Sequence, residues 1–489
     1  MTNFKPKTRA TCVAADDRHR YILLHADKPV WMVINEVGHK TFTLCDSHNS
    51  VGQIAQRVSQ TYGMPLDLVL SDVKFFISRL VREGFILPPC PQQSSPKPVE
   101  GALQPFEENR QPVEEPLTVR KVELNITENC NLRCRHCAVT SGTKKEDRLT
   151  LDQIFKIVDE AQVLKVESLT ISGGEPLLRE DSFSILAYAA RRITTTLATN
   201  GTLIDDKAAS VLSDLDLKIQ ISLDGPNEDI HDFMRGENAF LKTMRALDLM
   251  GRLDVGKKVT FCAVVSKNNL GHIPALLRLA SEKGVSEIRF IPLQNMGMAR
   301  SRWHELAPSM QDYVEFYSYM YQKASAEFPH LRISPGFQGF VLRHPPGQDS
   351  WCQIGRILTI DVRGDIYPCS LFMEPAFRLG NIRKTSLQKA IDSPAMKRIR
   401  EICLLRKSSI PECQRCPWRN FCQGGCPGSV YQAKGTLQAV DDLCQFRKQF
   451  YAQAIFTQSD RKSRPLSNTA GERDGRHKGD GEDRGDVGG

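Results

Sequence analysis

Apolar residues along this 489-residue chain fall into three successive patterns. Near the start, Tyr21 to His25 and Val30 to Ile34 read as strands. Apolar stripes at helical spacing follow, Val51, Ile54 and Val58, then Val73, Phe76, Ile77, Leu80 and Val81. They predict a small α+β module over residues 1–90. Residues 91–118 then carry Pro91, Pro96, Pro98, Pro105, Pro112 and Pro116 among Gln, Ser and Glu, the composition of an extended linker. Such a linker would tether the first module rather than fuse it to the next core. From residue 119, strand-like runs at Val122 to Ile126, Ser168 to Ser172, Thr195 to Thr199, Lys218 to Leu223, Val259 to Val265 and Glu287 to Leu293 alternate with helical stripes. Thr150 and Gln153 are spaced as a capping box before the first stripe, Leu151, Ile154, Phe155 and Val158. Repeated βα order fits a parallel sheet, and six such units fit a partial (β/α)6 barrel of the TIM type. From Ser459 to Gly489 hardly an apolar residue remains, so this tail is expected to be disordered.

No apolar run reaches the roughly 18 residues a membrane-spanning helix needs. The first twenty residues lack the apolar stretch of a secretory signal, so a reducing, cytoplasmic location is expected. In that compartment the fifteen cysteines read as metal ligands rather than disulfides. The net charge of +8 is mild for this length and reads as solvated lysine and arginine.

Cysteine spacing carries the chemistry. ITENCNLRCRHCAV, Ile126 to Val139, directly follows the first barrel strand and presents Cys130, Cys134 and Cys137 from one loop as CxxxCxxC. A four-iron cubane with three protein thiolates keeps one iron open to a ligand. A zinc site would need a fourth donor, for which His136 is at hand. The loop resembles the signature of the radical S-adenosylmethionine superfamily, and further elements follow in that family's order over residues 119–300. These are Ser172 to Pro176 (SGGEP), Thr199 to Gly201, Ser222 to Pro226 (SLDGP) and His231 to Gly236. The resemblance implies that Gly173 and Gly174 let backbone approach the ligand and that Glu175 faces its ammonium group. It further implies that Asn200, Ser222 and Arg235 help hold S-adenosylmethionine, with Ser222 and Arg235 on its carboxylate and ribose side. His136 stands where the family commonly has an aromatic residue packing on adenine. Reductive cleavage to a 5′-deoxyadenosyl radical would follow, with the reacting groups gathered at the carboxyl ends of the strands.

Further on, Cys352, Gly364 and Cys369 give Cx11Gx4C, and Cys413, Cys416, Cys422, Cys426 and Cys444 give Cx2Cx5Cx3C then Cx17C. This layout resembles the SPASM extension, a cysteine-rich iron-sulfur domain expected over residues 341–458 after a barrel at 119–340. Matched by position, Cys413, Cys416, Cys422 and Cys444 would hold one auxiliary iron-sulfur cluster and Cys352, Cys369 and Cys426 the other. The latter's fourth ligand is open. RHPPGQDSW before Cys352 holds no cysteine, which leaves an open iron or a ligand such as His344. Paired CxxC thiolates also suit zinc. Cys12, Cys45, Cys90, Cys262 and Cys403 read as free thiols or small core residues.

Residues 20–88 resemble the PqqD-like recognition element, winged-helix in character, which binds leaders of ribosomally made precursor peptides by strand addition. Lys74, Arg79 and Arg82 on its last helix could touch DNA, yet nucleic acid is not the expected partner. The resemblances together imply a peptide maturase forming a thioether or carbon–carbon crosslink, served by a reductant such as flavodoxin or ferredoxin. The tethered leader would raise the effective concentration of the peptide at the barrel. Alternatives are a cofactor-biosynthesis enzyme of the tetrapyrrole or heme type, a protein-modifying activase of the sulfatase-maturase type, and a non-enzymatic iron-sulfur redox sensor. Ser370 follows Cys369 where relatives often carry an acid, so no general base is assigned.

Overall fold

The structure is a computed structural model that describes residues 2–88, 118–138, 148–336, 352 and 354–463. The Pro-rich linker, His344 and the RHPPGQDSW stretch lie outside the described residues apart from residue 118.

The first module pairs β1 (Ala10–Ala15), β2 (Tyr21–His25) and β3 (Trp31–Ile34) in that order, all antiparallel. Helices α1 (Glu36–Thr43), α2 (Val51–Tyr62) and α3 (Leu66–Arg82) follow. Ser50 and Gln53 close a capping box that starts α2. Strand alternation decides how this module sits. Leu23, Met32 and Ile34 point into the module's own core, with Ile54, Val73 and Ile77, while Ile22 and Leu24 belong to the main core of the molecule. The expected loose tether is therefore corrected: β2 is apolar on both faces and needs cover on each. The helix Cys444–Ser463 packs against the neighbouring strand β3, whose Trp31 and Val33 also lie against the main core. Arg20 Nη1 donates to Asp460 Oδ1 at 2.5 Å, and its guanidinium lies 5.2 Å from the centre of the Phe456 ring. Asn420 Nδ2 donates to the Ala26 carbonyl at 2.8 Å. The same helix carries regular structure past Ser459, where the sequence suggested disorder; residues 464–489 lie outside the described residues.

The six predicted barrel strands form as β4 (Lys121–Thr127), β5 (Ser168–Gly173), β6 (Thr195–Thr199), β7 (Leu217–Ser222), β8 (Val259–Val265) and β9 (Glu287–Pro292). They lie side by side in chain order, every pair parallel. Connecting helices include α4 (Leu151–Val163), α5 (Ser182–Ala190), α6 (Asp206–Asp214), α7 (Glu228–Arg235), α8 (Ala239–Arg252) and α9 (Ile273–Glu282). Thr150 and Gln153 make the expected capping box of α4.

Both edges of this sheet are extended. β10 (Arg332–Ser334) pairs parallel with β9, and β11 (Ile357–Ile360) pairs parallel with β4. Antiparallel β12 (Asp365–Tyr367) and β13 (Gly380–Asn381) complete a ten-stranded sheet. The cysteine-rich segment thus begins inside the barrel's own sheet, because an uncovered β4 edge would leave a row of unpaired backbone groups. Among the described residues, no helix is long and apolar enough to cross a membrane.

Candidate functional site

The loop after β4 is held down by the loop after β5. Gly174 N donates to the Thr127 carbonyl at 2.8 Å and Glu175 N to the Asn129 carbonyl at 2.7 Å. A Cβ on Gly173, where φ is 143°, would lie 2.3 Å from Thr127 O, and one on Gly174 would lie 2.2 Å from Asn129 O. Those contacts are forbidden, so both positions demand glycine. The resemblance has these glycines letting backbone approach a ligand; the backbone they admit in this structure is that of the cysteine loop. Gly174→Ala should therefore displace that loop. Overpacking of this kind costs about 1–3 kcal/mol, and iron analysis should show the first cluster lost while the auxiliary iron stays.

Glu175 is completely buried. Its Oε1 accepts from Thr199 Oγ1 at 2.7 Å and Leu177 N at 3.1 Å, and its Oε2 from Asn200 N at 2.7 Å. The resemblance turns this carboxylate toward a ligand's ammonium; in the structure it first ties the ends of β5 and β6 together, with lone pairs to spare. Burial pushes its pKa up despite those donors. Asn200 Nδ2 donates to Asn131 Oδ1 at 2.9 Å and so fastens the end of β6 to the cysteine loop.

The side chain that organises the next strand end is Asp224, which the sequence reading passed over. It is completely buried, accepting from Arg235 Nε at 2.7 Å on Oδ2 and from Val264 N at 2.8 Å on Oδ1. His136 Nε2 is 3.6 Å from the same Oδ2, and Asp224 N donates to His231 Nδ1 at 3.1 Å. Burial alone would raise the Asp224 pKa; the Arg235 guanidinium, His136 and His231 bring it below the usual value. Burial pushes His136 down to about 4 and, with Arg235, His231 down to about 3. Both imidazoles are accordingly neutral at pH 7.

Arg235 makes protein contacts of its own. The guanidinium assigned to the ligand is buried against Asp224, and its Nη1 is directed at Cys134 Sγ, 4.0 Å away. A buried cation requires such partners. Ser222 lies half-buried at the end of β7, opposite Cys262 of β8.

The residues of the loop fit a cluster with three protein ligands. Its thiols are electrostatic neighbours, buried enough that the Cys130 pKa rises and that of Cys134 reaches about 11. Among the described residues no group of three or more Cys, His, Asp or Glu could hold a single metal ion. A cubane asks for a different arrangement, one thiolate at each of three corners. Beside the thiols, His136 Nδ1 is buried with no hydrogen-bond partner in the protein, a donor or acceptor reserved for something else.

A residue the motifs did not show closes the loop from the far side. Gly297, at φ 55°, follows β9; a Cβ there would lie 2.2 Å from the Cys137 carbonyl, to which Met298 N donates at 2.9 Å.

The downstream cysteines form two groups. Cys413, Cys416, Cys422 and Cys444 line one small cavity with Trp418, Arg447 and Tyr451. Arg447, ion-paired with Asp441, extends Nη1 to 3.6 Å from Cys422 Sγ. Cys352, Cys369 and Cys426 line a second, larger cavity of about 630 Å³ that continues into the barrel and that Cys422 and Arg447 also border, so the two cavities adjoin. Its barrel wall includes Lys121, Glu123, Gln220, Thr260 and Arg289. Lys121 Nζ donates to Glu123 Oε1 at 2.7 Å, and Arg289 Nη1 to Gln220 Oε1 at 3.2 Å. The signal was in the strands: Lys121, Glu123 and Asn125 alternate with Val122, Leu124 and Ile126, so one face is core and the other a polar lumen.

Comparison with known proteins agrees with this architecture. The sequence matches the Radical SAM superfamily over residues 124–280, the SPASM iron-sulfur cluster-binding domain over 352–417 and coenzyme PQQ synthesis protein D over 20–86. Residues 124–280 are thus a radical S-adenosylmethionine domain, which works with an iron-sulfur cluster and S-adenosylmethionine. A PqqD-like module precedes it and a SPASM iron-sulfur domain follows it. The mycofactocin maturase MftC of Mycobacterium tuberculosis (strain ATCC 25618 / H37Rv) is 28% identical over 331 residues, covering 65% of this chain and 81% of the relative. The cysteine-type anaerobic sulfatase-maturating enzyme of Clostridium perfringens (strain 13 / Type A) is 26% identical over 351 residues, covering 67% and 93%. Streptococcus suis SuiB bound to S-adenosylmethionine shares the fold, with a TM-score of 0.58 and 15% identity over 90% of this chain and 100% of SuiB. SuiB has also been solved bound to precursor peptide SuiA.

Proposed function

We propose that this enzyme installs a crosslink, thioether or carbon–carbon, in a ribosomally made precursor peptide whose leader docks on the N-terminal module. The observation that carries the reading is that module itself, a PqqD-like unit packed against a radical barrel with edge strands β1 and β3. On α3, Leu68 and Phe75 are one heptad apart and 60% and 74% exposed, apolar area with no cover from the described residues. An extended leader would pair with the β3 edge and lay its apolar side chains on α3.

Cys130, Cys134 and Cys137 would hold the first cluster, with Gly173, Gly174, Glu175, Asn200, Ser222 and Arg235 shaping the S-adenosylmethionine pocket. The bound cluster and S-adenosylmethionine supply the radical chemistry that side chains cannot. The chain's own task is to position and to shield. Core strands surround the lumen, the polar wall of Lys121, Glu123, Gln220 and Arg289 receives the peptide, and the auxiliary cysteines stand at the cavity's other end. A flavodoxin or ferredoxin would feed electrons.

Phe75→Glu combined with Leu68→Glu tests the docking. Both side chains are exposed, so the fold is spared, yet affinity for a precursor encoded beside the gene should fall at least tenfold, about 1.4 kcal/mol. Peptide-independent cleavage of S-adenosylmethionine should be unchanged. Peptide turnover equal to that of the parent chain would remove the leader-binding reading.

A further inference from the structure

By motif position the second auxiliary group is Cys352, Cys369 and Cys426; Cys422 also borders their cavity but completes the set of Cys413, Cys416 and Cys444, so a cubane of four corners here has one thiol still to find. Cys403 lies on the helix Pro394–Ser409, outside every cysteine motif, and reads from sequence as an ordinary core residue. In the structure its thiol and that of Cys352 are hydrogen-bonded to each other. Cys369 is a further electrostatic neighbour of Cys403. With 5% of its surface exposed, Cys403 is sealed from solvent on the inner side of the helix.

A second observation points to the same place. Arg406, three residues on, heads the fully buried side chains in size. Its Nη2 donates to the carbonyls of Gly424 at 2.7 Å and Ala439 at 2.9 Å, its Nη1 donates to the Leu437 carbonyl, and its buried Nε has no partner. Carbonyls satisfy hydrogen bonds but do not neutralise a charge, and the nearby carboxylate, Asp441, is already paired with Arg447. The sulfurs around Arg406 are Cys403, Cys413 and Cys426, drawn from both auxiliary groups. A buried cation among thiols is at ease only when those thiols carry negative charge, as thiolates on iron do.

We propose that Cys403 is the fourth protein ligand of the auxiliary cluster held by Cys352, Cys369 and Cys426, with Arg406 as the buried countercharge shared with the neighbouring cluster. Each thiol gives up its proton as its sulfur binds iron. Fully ligated, this cluster has no open iron for a substrate thiolate, so its part in catalysis is to pass electrons. The inference rests on the auxiliary-cluster assignment and not on which peptide is modified.

Iron counting and electron paramagnetic resonance of the anaerobically reconstituted full chain test it. Cys403→Ala and the near-isosteric Cys403→Ser should lower iron from about twelve to about eight or eleven per chain, for loss of a cluster or of one iron. The auxiliary signal should vanish or turn into that of a three-iron cluster. The first cluster's signal and uncoupled cleavage of S-adenosylmethionine should persist, showing that the barrel has folded. Parent iron content with an unchanged spectrum in either folded variant overturns the proposal, as does recovery of a Cys352–Cys403 disulfide from anaerobic holoprotein with all its iron. The unmodified holoprotein gives an independent answer. Added cyanide should shift the signal of the first cluster, which has an open iron, and leave both auxiliary signals in place; a shifted auxiliary signal refutes full ligation.

Discussion

Replacing Cys130, Cys134 and Cys137 together by alanine should take deoxyadenosine production under dithionite to background. It should also lower bound iron from about twelve to about eight per chain. The effect is total because those thiols leave a single loop whose path is set by the Gly173–Gly174 contact, and no other cysteine of the described residues belongs to that loop. Auxiliary cluster signals should survive, since the downstream groups are built from different elements. Deoxyadenosine formed at the parent rate by the triple variant would mean that S-adenosylmethionine is cleaved elsewhere.

Asp224→Ala should be the most destabilising single change in the barrel that touches no cysteine. It leaves the buried Arg235 guanidinium without its carboxylate and removes the acceptor of Val264 N. Breaking a buried pair from one side costs about 3–5 kcal/mol, which chemical denaturation of the anaerobic chain should register as a lowered midpoint. Double replacement by Asp224→Ala and Arg235→Met should recover much of that loss, because no charge is then stranded. A loss below about 1 kcal/mol in the single variant would show that Arg235 is neutralised by another group.

The barrel was legible in sequence because its strands are buried on the outer face and flanked by amphipathic helices. All six expected runs lie within a residue of the observed bounds at each end, and β6 and β8 match at both ends. The cysteine groups were legible too, since ligand spacing is local. What sequence did not give is set by tertiary pairing. β1 is half-buried and bulged between Cys12 and Ala14, and α1 carries Gly38, so neither shows a clean period. β10 to β13 run only two to four residues and exist because the barrel edges offer partners. Asp224 sat inside a quoted motif, SLDGP, but its bond to Arg235 spans a turn and a helix. Cys403 was set aside because its contact with Cys352 bridges fifty-one positions of chain, which no spacing rule detects.

The burial of Ile22 and Leu24 in the main core fixes where a bound leader would start its path to the lumen. A docked origin turns the precursor into a measuring rod. With the leader anchored, each residue of extended spacer advances the chain by about 3.3 Å, so lengthening the spacer by one should move the modified position by one toward the leader. A swinging module would instead blur the product over several neighbouring sites.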